Sequence, residues 1–177
     1  MNLSIPEIIA ELTHLNTRTE KHGDEEVLAN DLSISVILPA QETLKQLCVG
    51  DSEKLIEAFW TEDGKAREPT IAAIKLNHSL KDHQMKISVG IEEAITFEET
   101  KLDGFSWTPQ NGHTLKLKFK AKTVTDEQEL AYIAGGLGKH IQIAIEAPRQ
   151  MDISEMQAPA EETQEAEKPA RKRRATA

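Results

Sequence analysis

Trp107-Thr108-Pro109-Gln110-Asn111-Gly112-His113-Thr114-Leu115-Lys116-Leu117-Lys118-Phe119-Lys120-Ala121-Lys122 carries the clearest alternation in the chain. Leu115, Leu117, Phe119 and Ala121 fall on one side and Lys116, Lys118, Lys120 and Lys122 on the other. Successive strand residues point to opposite faces of a sheet, so the run predicts a strand with a buried face and a lysine face. Asn111-Gly112 just before it is a strong hairpin signal, because both residues tolerate the left-handed backbone of a tight turn. The loop length then decides what the lysines meet. A two-residue Asn111-Gly112 loop sets Trp107 against Lys116 and Phe105 against Lys118, giving a mixed aromatic and basic face that stacks bases while holding phosphates. A three-residue Gln110-Asn111-Gly112 loop sets Trp107 against Leu115 and Phe105 against Leu117, and both rings sink into the core. One residue of slip moves the whole set. Aromatic burial and a left-handed position for Gly112 favour the second register.

Outward from the hairpin the chain reads as further strand. Leu102–Thr108 and Ala94–Thr100 are two candidates, and Met85, Ile87, Val89 and Ile91 alternate with polar residues or glycine. Leu55–Trp60 and Thr70–Leu76 flank a turn at Asp63-Gly64, and Leu32, Ile34, Val36 and Leu38 alternate up to Pro39. Before these, Leu12–Thr19 reads as a strand joined to them through a charged loop at residues 20–26, and Ile141, Ile143 and Ile145 form the last strand. Helix signals are fewer. Ser4 with Glu7 fits a capping box ahead of Ile5, Ile8, Ile9 and Leu12, and Ala40–Cys48 carries Leu44 and Leu47 before Gly50. Thr125 with Gln128 opens a third helix that Gly135 and Gly136 end. Seven or eight short strands with two or three short helices predict a mainly β fold, an antiparallel sandwich or distorted barrel, with α+β as the alternative.

The chain has 177 residues, 38% apolar but only 4% aromatic, which suits one domain whose core is filled by Leu, Ile, Val and Ala. That domain is expected over residues 1–150. In residues 151–177 Ala, Glu, Gln, Pro and Lys dominate without periodicity, the composition of a disordered tail. The tail holds six acids and five bases, so most of the formal charge of −9 belongs to the body. An acidic body repels bulk nucleic acid unless it presents a locally basic stripe. The N-terminus has no basic start or apolar run and no stretch is long enough to span a bilayer, so a cytoplasmic protein with no membrane partner is expected.

Catalytic motifs are missing. Gly135-Gly136-Leu137-Gly138-Lys139 departs from a phosphate loop twice, with Ile133 where the first glycine belongs and His140 where a hydroxyl residue belongs. It reads as a helix stop and turn. Six histidines are scattered, and His78 and His83, the closest, lack helical ligand spacing and cysteine partners, so no metal is expected. Cys48 is the sole cysteine, no serine sits in a nucleophile elbow, and paired acids such as Glu92-Glu93 and Glu98-Glu99 suit a solvated face. The expectation is a protein that is not an enzyme and carries no cofactor.

Binding signals remain. The lysine strand is either a guard against edge-to-edge aggregation or a groove that tracks phosphates. The tail ends in Lys168, Arg171, Lys172, Arg173 and Arg174, which can grip a phosphate backbone, although Glu161, Glu162, Glu165 and Glu167 offset that field. The expected site is therefore Phe105, Trp107, Lys116, Lys118, Lys120 and Lys122 with Arg171, Lys172, Arg173 and Arg174, and its partner single-stranded nucleic acid. The −8 body supports an alternative, an inhibitor whose acidic surface occupies a basic site on a nucleic-acid-processing protein. Self-association into a homo-oligomer is compatible with either.

Glu20-Lys21-His22-Gly23-Asp24-Glu25-Glu26-Val27-Leu28-Ala29-Asn30-Asp31-Leu32, followed by a strand, and the Lys-rich strand that precedes Ala147-Pro148 resemble small uncharacterised proteins of temperate tailed phages and prophages. The resemblance covers most of the body and supplies no catalytic motif. It implies a bacterial host cytoplasm and an early-gene role in phage DNA replication or recombination, or in counter-defence, and it transfers no site residue.

Overall fold

Runs of alternating apolar residues form the wall of the fold, and the computed structural model describes residues 2–22, 25–48, 50–67, 73–90 and 93–148. Strands β1 (Ile5–His22) and β2 (Glu25–Pro39) make a long antiparallel hairpin. Two helices follow, α1 (Ala40–Leu47) and α2 (Ser52–Phe59), then the short β3 (Ile74–Lys75). Strands β4 (Leu80–Ser88), β5 (Ile95–Gln110) and β6 (Thr114–Thr125) run antiparallel, and α3 (Glu127–Gly135) leads into β7 (His140–Glu146). Around the wall the order is β1-β2-β6-β5-β4-β7 and back to β1, a closed antiparallel barrel with β3 added beside β5. The mainly β class holds, and the wall closes as a barrel. Among the described residues no helix is long and apolar enough to cross a membrane.

The interior follows the alternation. Leu32, Ile34, Val36 and Leu38 of β2 face Leu115, Leu117, Phe119 and Ala121 of β6 across the core from Ile141, Ile143 and Ile145 of β7. Both mouths are plugged. At one, Trp60 stacks on Trp107 with ring centres 6.0 Å apart and planes 12° apart, Phe59 meets Trp107 edge-on, and Trp60 Nε1 donates to the Gln110 carbonyl. The Gly64 carbonyl there accepts from the amides of Gly112 and His113, which ties the Asp63-Gly64 turn to the β5–β6 turn. At the other mouth Asp126 and Glu129 form a reciprocal capping box, α3 inserts the fully buried Ile133, and Tyr132 Oη bonds the backbone of Val89 and Glu93.

Several sequence expectations change. The stretch read as an N-terminal helix is the start of β1, where a register shift between Ile5 and Ile8 puts apolar residues at spacings that imitate a helix. Leu55–Trp60 is not a strand: Leu55, Ile56 and Phe59 share one face of α2. The two candidates at 94–100 and 102–108 are one strand, β5, whose register shifts between Asp103 and Ser106 around Gly104, with φ at +63°. The strands are longer than expected, β1 having 18 residues and β5 16, and the charged loop at 20–26 shrinks because β1 and β2 pair down to His22 and Glu25. Of the expected strand at 70–76, β3 is the paired part, and residues 68–72 lie outside the described ones. Residues 151–177, including Lys168, Arg171, Lys172, Arg173 and Arg174, likewise lie outside them.

The Gly135-Gly136 helix stop has a steric basis at one glycine only. A Cβ on Gly136 would sit 2.9 Å from Ile141 Cγ2, 3.0 Å from Val89 Cγ2 and 3.2 Å from the Ile133 carbonyl, whereas one on Gly135 meets nothing within 4 Å. Gly136→Ala is therefore expected to cost about 1–3 kcal/mol through overpacking. Gly135→Ala is expected to be neutral or stabilising by up to about 1 kcal/mol, since alanine restrains the unfolded chain. Urea denaturation of the two variants checks the contrast, and equal destabilisation would place the glycine requirement in the turn backbone.

Candidate nucleic-acid interface

Strand β6 is central in the wall, so its lysine side chains stand in a row on the outer face. It pairs with β2 on one side, from Leu28↔Thr125 to Pro39↔Thr114, and with β5 on the other, from Lys101↔Lys122 to Gln110↔Thr114. Lys116 lies between Ile37 and Thr108, Lys118 between Ser35 and Ser106, and Lys120 between Ser33 and Asp103. Of these six neighbours only Asp103 is charged. Lys118 and Lys120 are exposed and Lys116 half-buried, and among the described residues none of the three has a carboxylate within ion-pair distance. The stem of Lys120 runs over Gly104, where a Cβ would touch its Cγ at 3.6 Å.

Lys122 differs. Its Nζ lies 2.8 Å from Asp103 Oδ2, a carboxylate that also approaches Lys101 at 3.9 Å, and Lys101 and Lys122 are direct cross-strand partners. The hydrogen bond to Asp103 raises the Lys122 ammonium above its ordinary value against the opposing effect of burial. Across β2, Arg18 donates to Asp31 at 2.7 Å and to Glu20 at 2.6 Å, which raises the guanidinium further. For Asp31, burial pushes the carboxyl up but is outweighed by the Arg18 hydrogen bond and by the charges of Arg18, Lys122 and Lys120, so it titrates below its ordinary value. The face thus divides into an unpaired stretch, Lys116 to Lys120, and a paired network around Lys122.

Phe105 and Trp107 are not part of this face. Each is 1% exposed, with Phe105 stacked near Phe119 and His78, and Trp107 against Trp60. The hairpin turns through Asn111-Gly112-His113, with Gln110 opposite Thr114 and Trp107 opposite Leu117. This register is neither of the two drawn from the sequence, yet it has the parity of the three-residue loop and sends both rings inward. His113, at φ +51°, takes a left-handed position beside Gly112. The face therefore offers phosphates cations and hydroxyls, without a ring on which a base could stack.

The other candidate groups serve packing. His83 is buried, its Nδ1 within 2.8 Å of the Lys81 carbonyl and its Nε2 accepting from the Leu3 amide. His78 lies on Phe105 instead of beside His83. Cys48 caps the end of α1, and burial, with the charge of Asp51, pushes its thiol up, which disfavours a thiolate nucleophile. Among the described residues no group of three His, Cys, Asp or Glu is placed to hold a metal ion. Sequence reasoning missed Arg18, Asp31, Lys101 and Asp103, because their network with Lys122 exists only where four strands, β1, β2, β6 and β5, lie side by side. Comparison with protein-family models, curated proteins and solved structures finds no match.

The depressed Asp31 carboxyl has a pH signature. Folding favours its ionised form, so its contribution is complete above the unfolded value, 3.8, and is lost as pH falls through the lower folded value. Asp31→Asn is expected to be less stable than the parent at neutral pH, and the difference in urea midpoint should shrink as pH drops below about 3.9. A difference that stays constant as the pH falls through the folded value would show that packing, not charge, holds Asp31.

Proposed function

We propose that the chain binds single-stranded nucleic acid by its phosphate backbone along the outer face of β6, without reading bases, as a non-enzymatic accessory of DNA replication or recombination. One observation carries this reading. Lysines commonly guard a free sheet edge against aggregation, but β6 is paired on both sides along the row, so there is no edge to guard. The row sets like charges close together on a body that is otherwise acidic, and an anionic partner relieves that repulsion. Alternate strand residues repeat at about 6.8 Å. A straight row of cations with that repeat can follow the phosphates of an extended single strand. The ridge is one side chain wide, with the shorter Ser33, Ser106 and Thr108 beside it as hydroxyl donors.

Lys116→Glu, Lys118→Glu and Lys120→Glu together provide the test. The core side chains of β6 are untouched, so the folded far-ultraviolet spectrum and cooperative melt should persist. Binding of a fluorescent oligothymidine at low salt should fall at least about tenfold, and the slope of log affinity against log salt should drop by up to about 0.7 for each phosphate no longer neutralised. Unchanged affinity and slope in a folded triple variant would remove the reading. An inhibitor that works through its acidic surface would instead keep or gain attraction for a basic target under the same substitutions.

A further inference from the structure

Among the described residues the barrel wall opens between β5 and β6. Pairing between β5 and β6 begins at Lys101↔Lys122; before it, among the described residues, Ile95–Thr100 pairs with β4 alone and Thr123–Thr125 with β2 alone. Between the two diverging segments lies a cleft of about 630 Å³, bordered by Phe97, Glu98, Glu99, Val124 and Glu129. Each segment turns one edge of backbone N–H and C=O groups towards it without a strand partner, the arrangement that accepts an added strand. The cations at its closed end are already matched, Lys122 and Lys101 by Asp103 and Arg18 by Asp31 and Glu20. Among the described residues Glu98, Glu99 and Glu129 have no cation within ion-pair distance, although Gln84 donates to Glu98 and Glu129 accepts from the Asp126 amide. The open edges call for an extended peptide, and the charge calls for a basic one.

The chain supplies such a peptide. Pro148, where the described residues end, borders a second depression with Gln84 and Glu98, and Glu98 also borders the cleft. Nineteen residues separate Pro148 from Lys168 and span on the order of 60 Å when extended, ample to return to the cleft. Arg171-Lys172-Arg173-Arg174-Ala175-Thr176 matches the six-residue edge Ile95–Thr100 in length. It contains no proline, so every residue keeps the N–H that a ladder needs, and Pro169 stands just outside it. We propose that the cleft between β5 and β6 is a strand-addition site for a basic peptide, occupied by the chain's own residues 171–176. This is independent of the lysine face, which lies on the paired part of β6.

Amide hydrogen exchange of the full chain tests it. In the unaltered protein the amides of 95–100 and 123–125 that face the cleft should be protected at low salt. In the full chain carrying Arg171→Glu, Lys172→Glu, Arg173→Glu and Arg174→Glu they should exchange at least about tenfold faster, with the rest of the barrel unchanged. Equal exchange in the two proteins would overturn the assignment. A disulfide trap, C48S with E99C and R173C, identifies the donor. A monomer-sized cross-link that forms faster than the control pair K45C and R173C, and that slows with added salt, supports the chain's own segment. Cross-linking no faster than the control, or only between two molecules, overturns it.

Discussion

Closure of the wall through β5 is the constraint on which the structure depends. One strand of 16 residues must pair with β4 over its first part and with β6 over its second, and it does so by bending at Asp103-Gly104. The bend changes the alternation, so that Leu102 and Phe105 both point inward, and it lets Trp107 reach the mouth where Trp60 and Phe59 wait. Without closure β6 would be an edge and its lysines a guard. With closure they stand in the middle of a continuous surface.

The same bend has a second consequence. Because β5 leaves β6 before Lys101, the wall is sealed along the hairpin and open below it, and the charges sort accordingly. Unpaired lysines lie over the sealed part. Paired cations, Arg18, Lys101 and Lys122, stand at the junction under the control of Asp31 and Asp103, and unmatched carboxylates line the opening. A body that is acidic only in its net formal charge thus holds a cationic ridge and an anionic cleft next to each other, suited to partners of opposite sign.

Much of the wall was legible in the residues. Period-two alternation located β2, β6 and β7, and the Asn-Gly pair located the hairpin, because each of these strands has one clean buried face. Legibility failed where strands bend. The irregularities in β1 and β5, and at Asp82 with φ +57° in β4, insert residues that break the period, so β1 imitated a helix and β5 looked like two strands. Leu55–Trp60 failed for a different reason: a short apolar run has no period long enough to separate helix from strand.

By itself the sequence determined which residues are apolar, which strand carries the lysines, and that Phe105 and Trp107 lie on either the core side or the lysine side. Tertiary structure decided between those sides. The turn through Asn111-Gly112-His113 was fixed by contacts with the distant Gly64 and by a place for Trp107 against Trp60, and neither is visible in the hairpin's own residues. It also decided that the lysines face outward from a strand with no free edge, and that Lys122 is tied to Asp103 while Lys116, Lys118 and Lys120 are not. Those distinctions rest on which strands become neighbours, and that is set by the least costly way for bent strands to close around one core.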